Sequence, residues 1–205
     1  MSGRGQRLES VLSRLKSPEL VQKYLDKLRY STDTFYRSAR RIVRHRKANC
    51  FDGALLAAAA FQAHRRSPLI LDLRAVNDYD HVVALYRSRG CWGAVAVSNT
   101  VGLRFREPIY RTLRELALSY FEFFYNAEAQ KTLREYSVAL NLRLFDFDWA
   151  VCDDRLEEIA VKLDQVRHYD LLKHGISATL CPVDPRSFRA GLLGANRAGL
   201  FKDTT

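Results

Sequence analysis

Long apolar runs are missing from this 205-residue chain. The longest, residues 54–61, falls far short of the ~20 residues that span a bilayer, and the opening Met-Ser-Gly-Arg-Gly-Gln-Arg has no apolar signal core. A membrane-spanning or exported chain is therefore not expected. Cysteine is sparse as well. Cys50, Cys91, Cys152 and Cys181 lie far apart with no C-x-x-C pair. That spacing suits neither a zinc knuckle nor a disulfide framework, and it points to reduced thiols in a cytoplasmic protein. There is no zinc-finger, RNP or P-loop pattern, and no internal repeat.

A hydrophobic share of 47% beside 27% charged residues fits a folded chain that buries a substantial core. The net charge of +10 is concentrated just before Cys50, in Arg37, Arg40, Arg41, Arg44, Arg46 and Lys47. Positions 37, 40, 41 and 44 follow helical i, i+3, i+4, i+7 spacing and predict one basic stripe. Three uses compete for it: a solvated helical face, attraction of an acidic ligand to a neighbouring site, and nucleic-acid binding. The last is disfavoured by the missing motifs.

Residues 1–48 read as helical, with one helix over 6–16, a second starting at Pro18, and a third from Asp33 carrying the basic stripe. A fourth begins at Cys50 and stops near Arg66, because Pro68 disfavours helical geometry at Ser67. Three strands follow, over 69–73, 81–86 and 92–97, the last two joined across Arg87-Ser88-Arg89-Gly90 as a hairpin. A helix is expected over 109–125 after Pro108, loose strand over 140–151, a helix from Asp153 and Asp154 to about His168, and an irregular tail. The fold class is α+β, with N-terminal helices and a helix packed on an antiparallel sheet. Three segments divide the chain, 1–48, 49–125 and 126–205, within one structural domain.

Cys50 carries the chemistry that can be argued from residues. Asn49 is a good N-cap, and the run Phe51-Asp52-Gly53-Ala54-Leu55-Leu56-Ala57 is rich in helix formers. A thiol in the first turn faces free amide donors and the positive end of the helix dipole, which favour thiolate. A nucleophilic thiol also needs a base. His64 sits about 14 residues further along the same helix, roughly 21 Å away at ~1.5 Å per residue. His45 lies in the basic stretch, His168 at the end of a late surface helix, and His174 in the tail. His81 opens a strand in an apolar sheet, where an imidazole needs a reason to be present.

Asn49-Cys50-Phe51-Asp52-Gly53-Ala54-Leu55-Leu56, Ser67-Pro68-Leu69, Asp80-His81-Val82-Val83-Ala84-Leu85-Tyr86 and the strand led by Trp92 together resemble the transglutaminase-like branch of the papain-like superfamily. The resemblance covers residues 48–99. It implies a cysteine hydrolase or acyl-transferase acting on an amide or ester bond, with protease or amidase activity favoured over cross-linking. Cys50 would be the nucleophile and His81 the base, with part of the oxyanion hole from the Cys50 N–H. Peptide, protein or another amide or ester substrate, possibly acidic, is implied, and neither metal nor organic cofactor. The family places an aspartate or asparagine on the strand after the histidine; this chain has no aspartate there. Asn99 is the candidate third member, and Asp72, inside Leu69-Ile70-Leu71-Asp72-Leu73, is the second. The alternatives are a non-catalytic binding module on the same scaffold and a nucleic-acid-binding protein that uses the basic 37–47 helix.

Overall fold

The computed structural model describes residues 7–201. The expected helix start at Gln6 and the last four residues of the tail lie outside them. In chain order the elements are α1 (Leu8–Leu12), α2 (Pro18–Leu25), β1 (Arg29–Tyr30), α3 (Ala39–His45), β2 (Lys47–Ala48), α4 (Cys50–Ala63), β3 (Leu69–Ala75), β4 (His81–Ser88), β5 (Cys91–Val95), β6 (Arg106–Tyr110), α5 (Leu113–Leu118), β7 (Leu133–Ser137), β8 (Leu140–Asn141), α6 (Leu156–Gln165), β9 (His168–Asp170) and α7 (Pro185–Gly191). The fold is α+β. One antiparallel sheet has the order β6-β5-β4-β3-β7-β9, with β8 also on β3, and a small parallel β1-β2 pair stands apart. Among the described residues no helix is long and apolar enough to cross a membrane.

Strand alternation divides the core in two. Ile70, Val82, Ala84, Tyr86 and Val95 face α4, which buries nearly its whole surface, while Leu71, Leu73, Val83, Leu85 and Ala94 face α5 with Tyr120 and Phe124. The β4–β5 connection is a two-residue turn in which Arg89 and Gly90 both take positive φ, 49° and 84°, the geometry that matches strand twist.

Several expectations are revised. The third helix starts at Ala39 behind a Ser38 cap, and residues 31–38 form a loop. Asp33 is drawn into ion pairs with Lys47 and Arg37 instead of starting a helix. Arg37 is 2% exposed and pairs with the fully buried Asp52, so it belongs to no solvent-facing stripe. Pro108 lies in the edge strand β6, where a missing N–H is tolerated, and Thr112 caps the much shorter α5. Residues 140–151 contribute only the two-residue β8, whereas β7 just before them is a full strand. The late helix ends at Gln165, and His168 opens β9. The tail contains α7, capped by Asp184.

Gly53, one turn into α4, sits where the helix meets the chain beyond β5. A Cβ there would lie 2.5 Å from Val97 Cγ2 and 2.9 Å from Val97 Cβ. Alanine improves helix propensity by ~1 kcal/mol, but overpacking of a filled core costs about 1–3 kcal/mol and should win here. Gly53→Ala is expected to lower stability by about 1–2 kcal/mol, read as a lower urea midpoint. A midpoint equal to or above wild type would show that the contact yields freely.

Candidate active site

The β4–β5 ladder begins at Ala84↔Val95, so the first residues of β4 are paired with β3 on one side and with no strand on the other. Past Val95 the chain is bonded to a buried side-chain amide. Gln22, on α2 and 6% exposed, donates from Nε2 to the Ala96 carbonyl at 2.9 Å and accepts the Ala96 N–H at Oε1 at 3.0 Å. The first turn of α4 faces the resulting gap. Its capping box is complete, with Asp52 N–H donating to Asn49 Oδ1 at 2.9 Å and Asn49 N–H to Asp52 Oδ2 at 3.3 Å. The Cys50 Sγ lies 3.8 Å from the Asp80 carbonyl oxygen, and the Val82 and Phe51 N–H groups are directed at it. The sulfur thus rests against the peptide groups on either side of His81.

His81 is 4% exposed, and its ring is in edge contact with Tyr120 and Phe124, with centroids 6.4 and 6.3 Å away. Its Nε2 is 2.8 Å from the Leu103 carbonyl oxygen. A carbonyl only accepts, so Nε2 carries the hydrogen and Nδ1 is the basic nitrogen. The loop that supplies Leu103 is fixed by Arg106, which donates to Gly102 O at 2.8 Å and Ser119 O at 3.1 Å, and by Tyr120 Oη, which donates to Arg104 O at 2.8 Å.

The Cys50 thiol and the His81 imidazole are each uncharged at rest. Burial pushes the Cys50 thiol up to about 11, outweighing the two amides that favour thiolate, which corrects the expectation of a helix-activated thiolate. Burial also presses His81 down to about 4, and the Arg106 charge adds to this.

Asn99 does not stand behind the imidazole. Its Nδ2 donates to Asn196 O at 2.9 Å and its Oδ1 accepts the Asn196 N–H at 2.8 Å. The position that Asn99 was expected to fill is held by the Leu103 carbonyl. Asp72, 2% exposed, pairs with His168, whose Nε2 is 3.1 Å from Asp72 Oδ2 and whose Nδ1 is 2.8 Å from Val166 O. Both ring nitrogens therefore face oxygen atoms. Burial, with the neighbouring Asp80 charge, raises the Asp72 carboxyl. His64 is bound to Leu12 O at 2.9 Å, away from the site.

Cys50, His81, Asp72 and Asn99 line one cleft of about 540 Å³. Asp33, Asp78, Asp80 and Asp164 line it too, with no lysine or arginine among the lining residues. The basic residues of α3 are elsewhere, with Arg40 and Arg44 exposed and Arg41 4.0 Å from Asp153. This lining lends no support to an acidic ligand, one of the three uses of the basic stretch, although Asp33 is itself paired with Lys47 and Arg37. Among the described residues no group of three or more His, Cys, Asp or Glu side chains is arranged to hold a metal ion. In comparison with known proteins, no family model matches the chain and no curated protein matches its sequence.

Three contributors escaped the sequence reading. Gln22 carried a signal, a polar residue between Val21 and Leu25 on the buried side of α2. The Leu103 carbonyl carried none, because any residue supplies one. His168 was assigned to a helix that ends three residues earlier.

His81 gives a measurable pH dependence. Its folded value is below the ordinary 6.5, so the unfolded chain binds the proton more tightly. Its contribution to stability is complete above about 6.5 and is lost as pH falls toward about 4. His81→Gln should remove up to roughly 2–3 kcal/mol of that acid-side loss. Urea denaturation of both proteins at pH 7 and pH 4.5 tests it; a constant difference between the two would show that His81 titrates normally.

Proposed function

We propose that the chain is a thiol-dependent hydrolase or acyl-transferase of the transglutaminase-like, papain-like kind, acting on an amide or ester carbonyl. The observation that carries this is the position of the Cys50 sulfur at the open edge of β4, between the Asp80 carbonyl and the Val82 N–H, in the cleft that His81 also lines. In this reading the free His81 Nδ1 takes the thiol proton as the sulfur attacks, while Nε2–H is held by Leu103 O; at rest the thiol bonds to the Asp80 carbonyl. The sulfur adds to the carbonyl carbon, and the oxyanion is received in part by the Cys50 N–H at the start of α4. Collapse breaks the bond to the leaving amine or alcohol, which takes the proton from the imidazolium, and leaves a thioester on Cys50. Water then gives hydrolysis, and an amine gives transfer.

The uncharged thiol, bonded to the Asp80 carbonyl, and the uncharged imidazole, bonded to the Leu103 carbonyl, favour a second reading, a binding module whose thiol is idle. Acyl trapping separates the two. Incubation with p-nitrophenyl acetate followed by peptide mass spectrometry should find acetyl on Cys50, none at that position in Cys50→Ala, and a rate lower by about 10²–10⁴-fold in His81→Ala. Acetylation at Cys91, Cys152 or the exposed Cys181 with none at Cys50 would favour the binding module.

A further inference from the structure

The wall of the cleft opposite α4 is made by the chain's own C-terminal segment. Leu192, Ala198, Gly199, Leu200 and Phe201 line the same cavity as Cys50 and His81. The segment leaves α7, where the Val101 N–H donates to Gly191 O at 2.9 Å. It then crosses Asn99, makes one 3₁₀ turn over Arg197–Gly199, and ends with the Phe201 ring edge-on to Tyr79, centroids 5.3 Å apart. Tyr79 adjoins Asp80, whose carbonyl faces the Cys50 sulfur.

The contact at Asn99 is chemically specific. One side-chain amide satisfies both the N–H and the C=O of a single residue, Asn196. That pairing reads peptide backbone and is indifferent to the side chain that the residue carries. Gly199 passes so close that a Cβ would lie 2.9 Å from Tyr30, 3.1 Å from Thr32 and 3.2 Å from Asn99. Backbone is thus recognised at Asn99, an apolar side chain is received at Tyr79, and there is a tight passage between them.

We infer that the cleft is a polypeptide-binding site, and that residues 195–201 occupy it in cis as a displaceable cover. The inference rests on the reading of the Cys50 cleft as the ligand site and adds the class of ligand, a polypeptide gripped by its backbone at Asn99. It also gives Asn99 a role as a positioning residue for peptide. Displacing the cover admits solvent to the thiol, whose high value has burial as its first cause.

The test uses the full chain. Asn99→Asp is isosteric but has no donor for Asn196 O, and it sets a carboxylate against that carbonyl. Gly199→Val closes the narrow passage by crowding alone. Each variant, with near-UV circular dichroism unchanged, should label at Cys50 with iodoacetamide at least about 10-fold faster than wild type. A fluorescein-labelled peptide of residues 195–201 should bind Gly199→Val by anisotropy, bind wild type at least about 10-fold more weakly, and lose binding when Asn99→Asp is added. That tenfold corresponds to about 1.4 kcal/mol. Labelling at the wild-type rate in both folded variants would overturn the inference, as would faster labelling without peptide binding to Gly199→Val. Neither readout needs turnover, so failure of acyl trapping beside peptide binding would remove the catalytic reading and leave the polypeptide site standing.

Discussion

The site exists because the sheet comes apart at one place. β4 and β5 pair as far as Ala84↔Val95, and beyond that point a continued ladder would bond Val82 to residue 97. That pairing does not form, and Gln22 binds both backbone groups of Ala96. The exposed edge of β4 then presents the Asp80 carbonyl and the Val82 N–H, and buried backbone groups of this kind need partners. Cys50 supplies them at the tip of α4, while Gly53 lets that helix lie against the diverted chain at Val97.

The electrical character of the site follows from what stands behind the imidazole. A carboxylate would stabilise an imidazolium; the Leu103 carbonyl fixes the tautomer without offering a full negative charge. Arg106, which holds the same loop, sets a positive charge near the ring. Thiol and imidazole each rest uncharged in this setting, and the thiol's hydrogen bond goes to the Asp80 carbonyl. Asp72 and His168 join β3 to β9 through a buried side-chain contact at the cleft.

What could be read locally in the sequence was read well where one rule dominated. The Asn49 cap and the alanine-rich run fixed the start of α4, since capping and propensity act within a few residues. The three apolar runs after Pro68 became β3, β4 and β5 because burial on both faces leaves few alternatives. Pro108 and Asp33 misled because each admits two uses. A proline serves a helix start or an edge strand, and an aspartate serves a cap or an ion pair; only the neighbours decide.

The sequence by itself determined that a thiol would stand at a helix start and an imidazole at a strand start, since both placements depend on residues close by in the chain. Tertiary structure decided everything that joins distant positions. The orienting group for His81 is a carbonyl 22 residues away, Asn99 is taken by a residue 97 positions later, and Asp72 finds its histidine 96 positions on. Backbone carbonyls and amides leave no mark in composition or spacing, and the ionisation of Cys50 and His81 depends on how much protein surrounds them. Burial is a property of the packed chain, so it reversed the thiolate expected from the helix position alone.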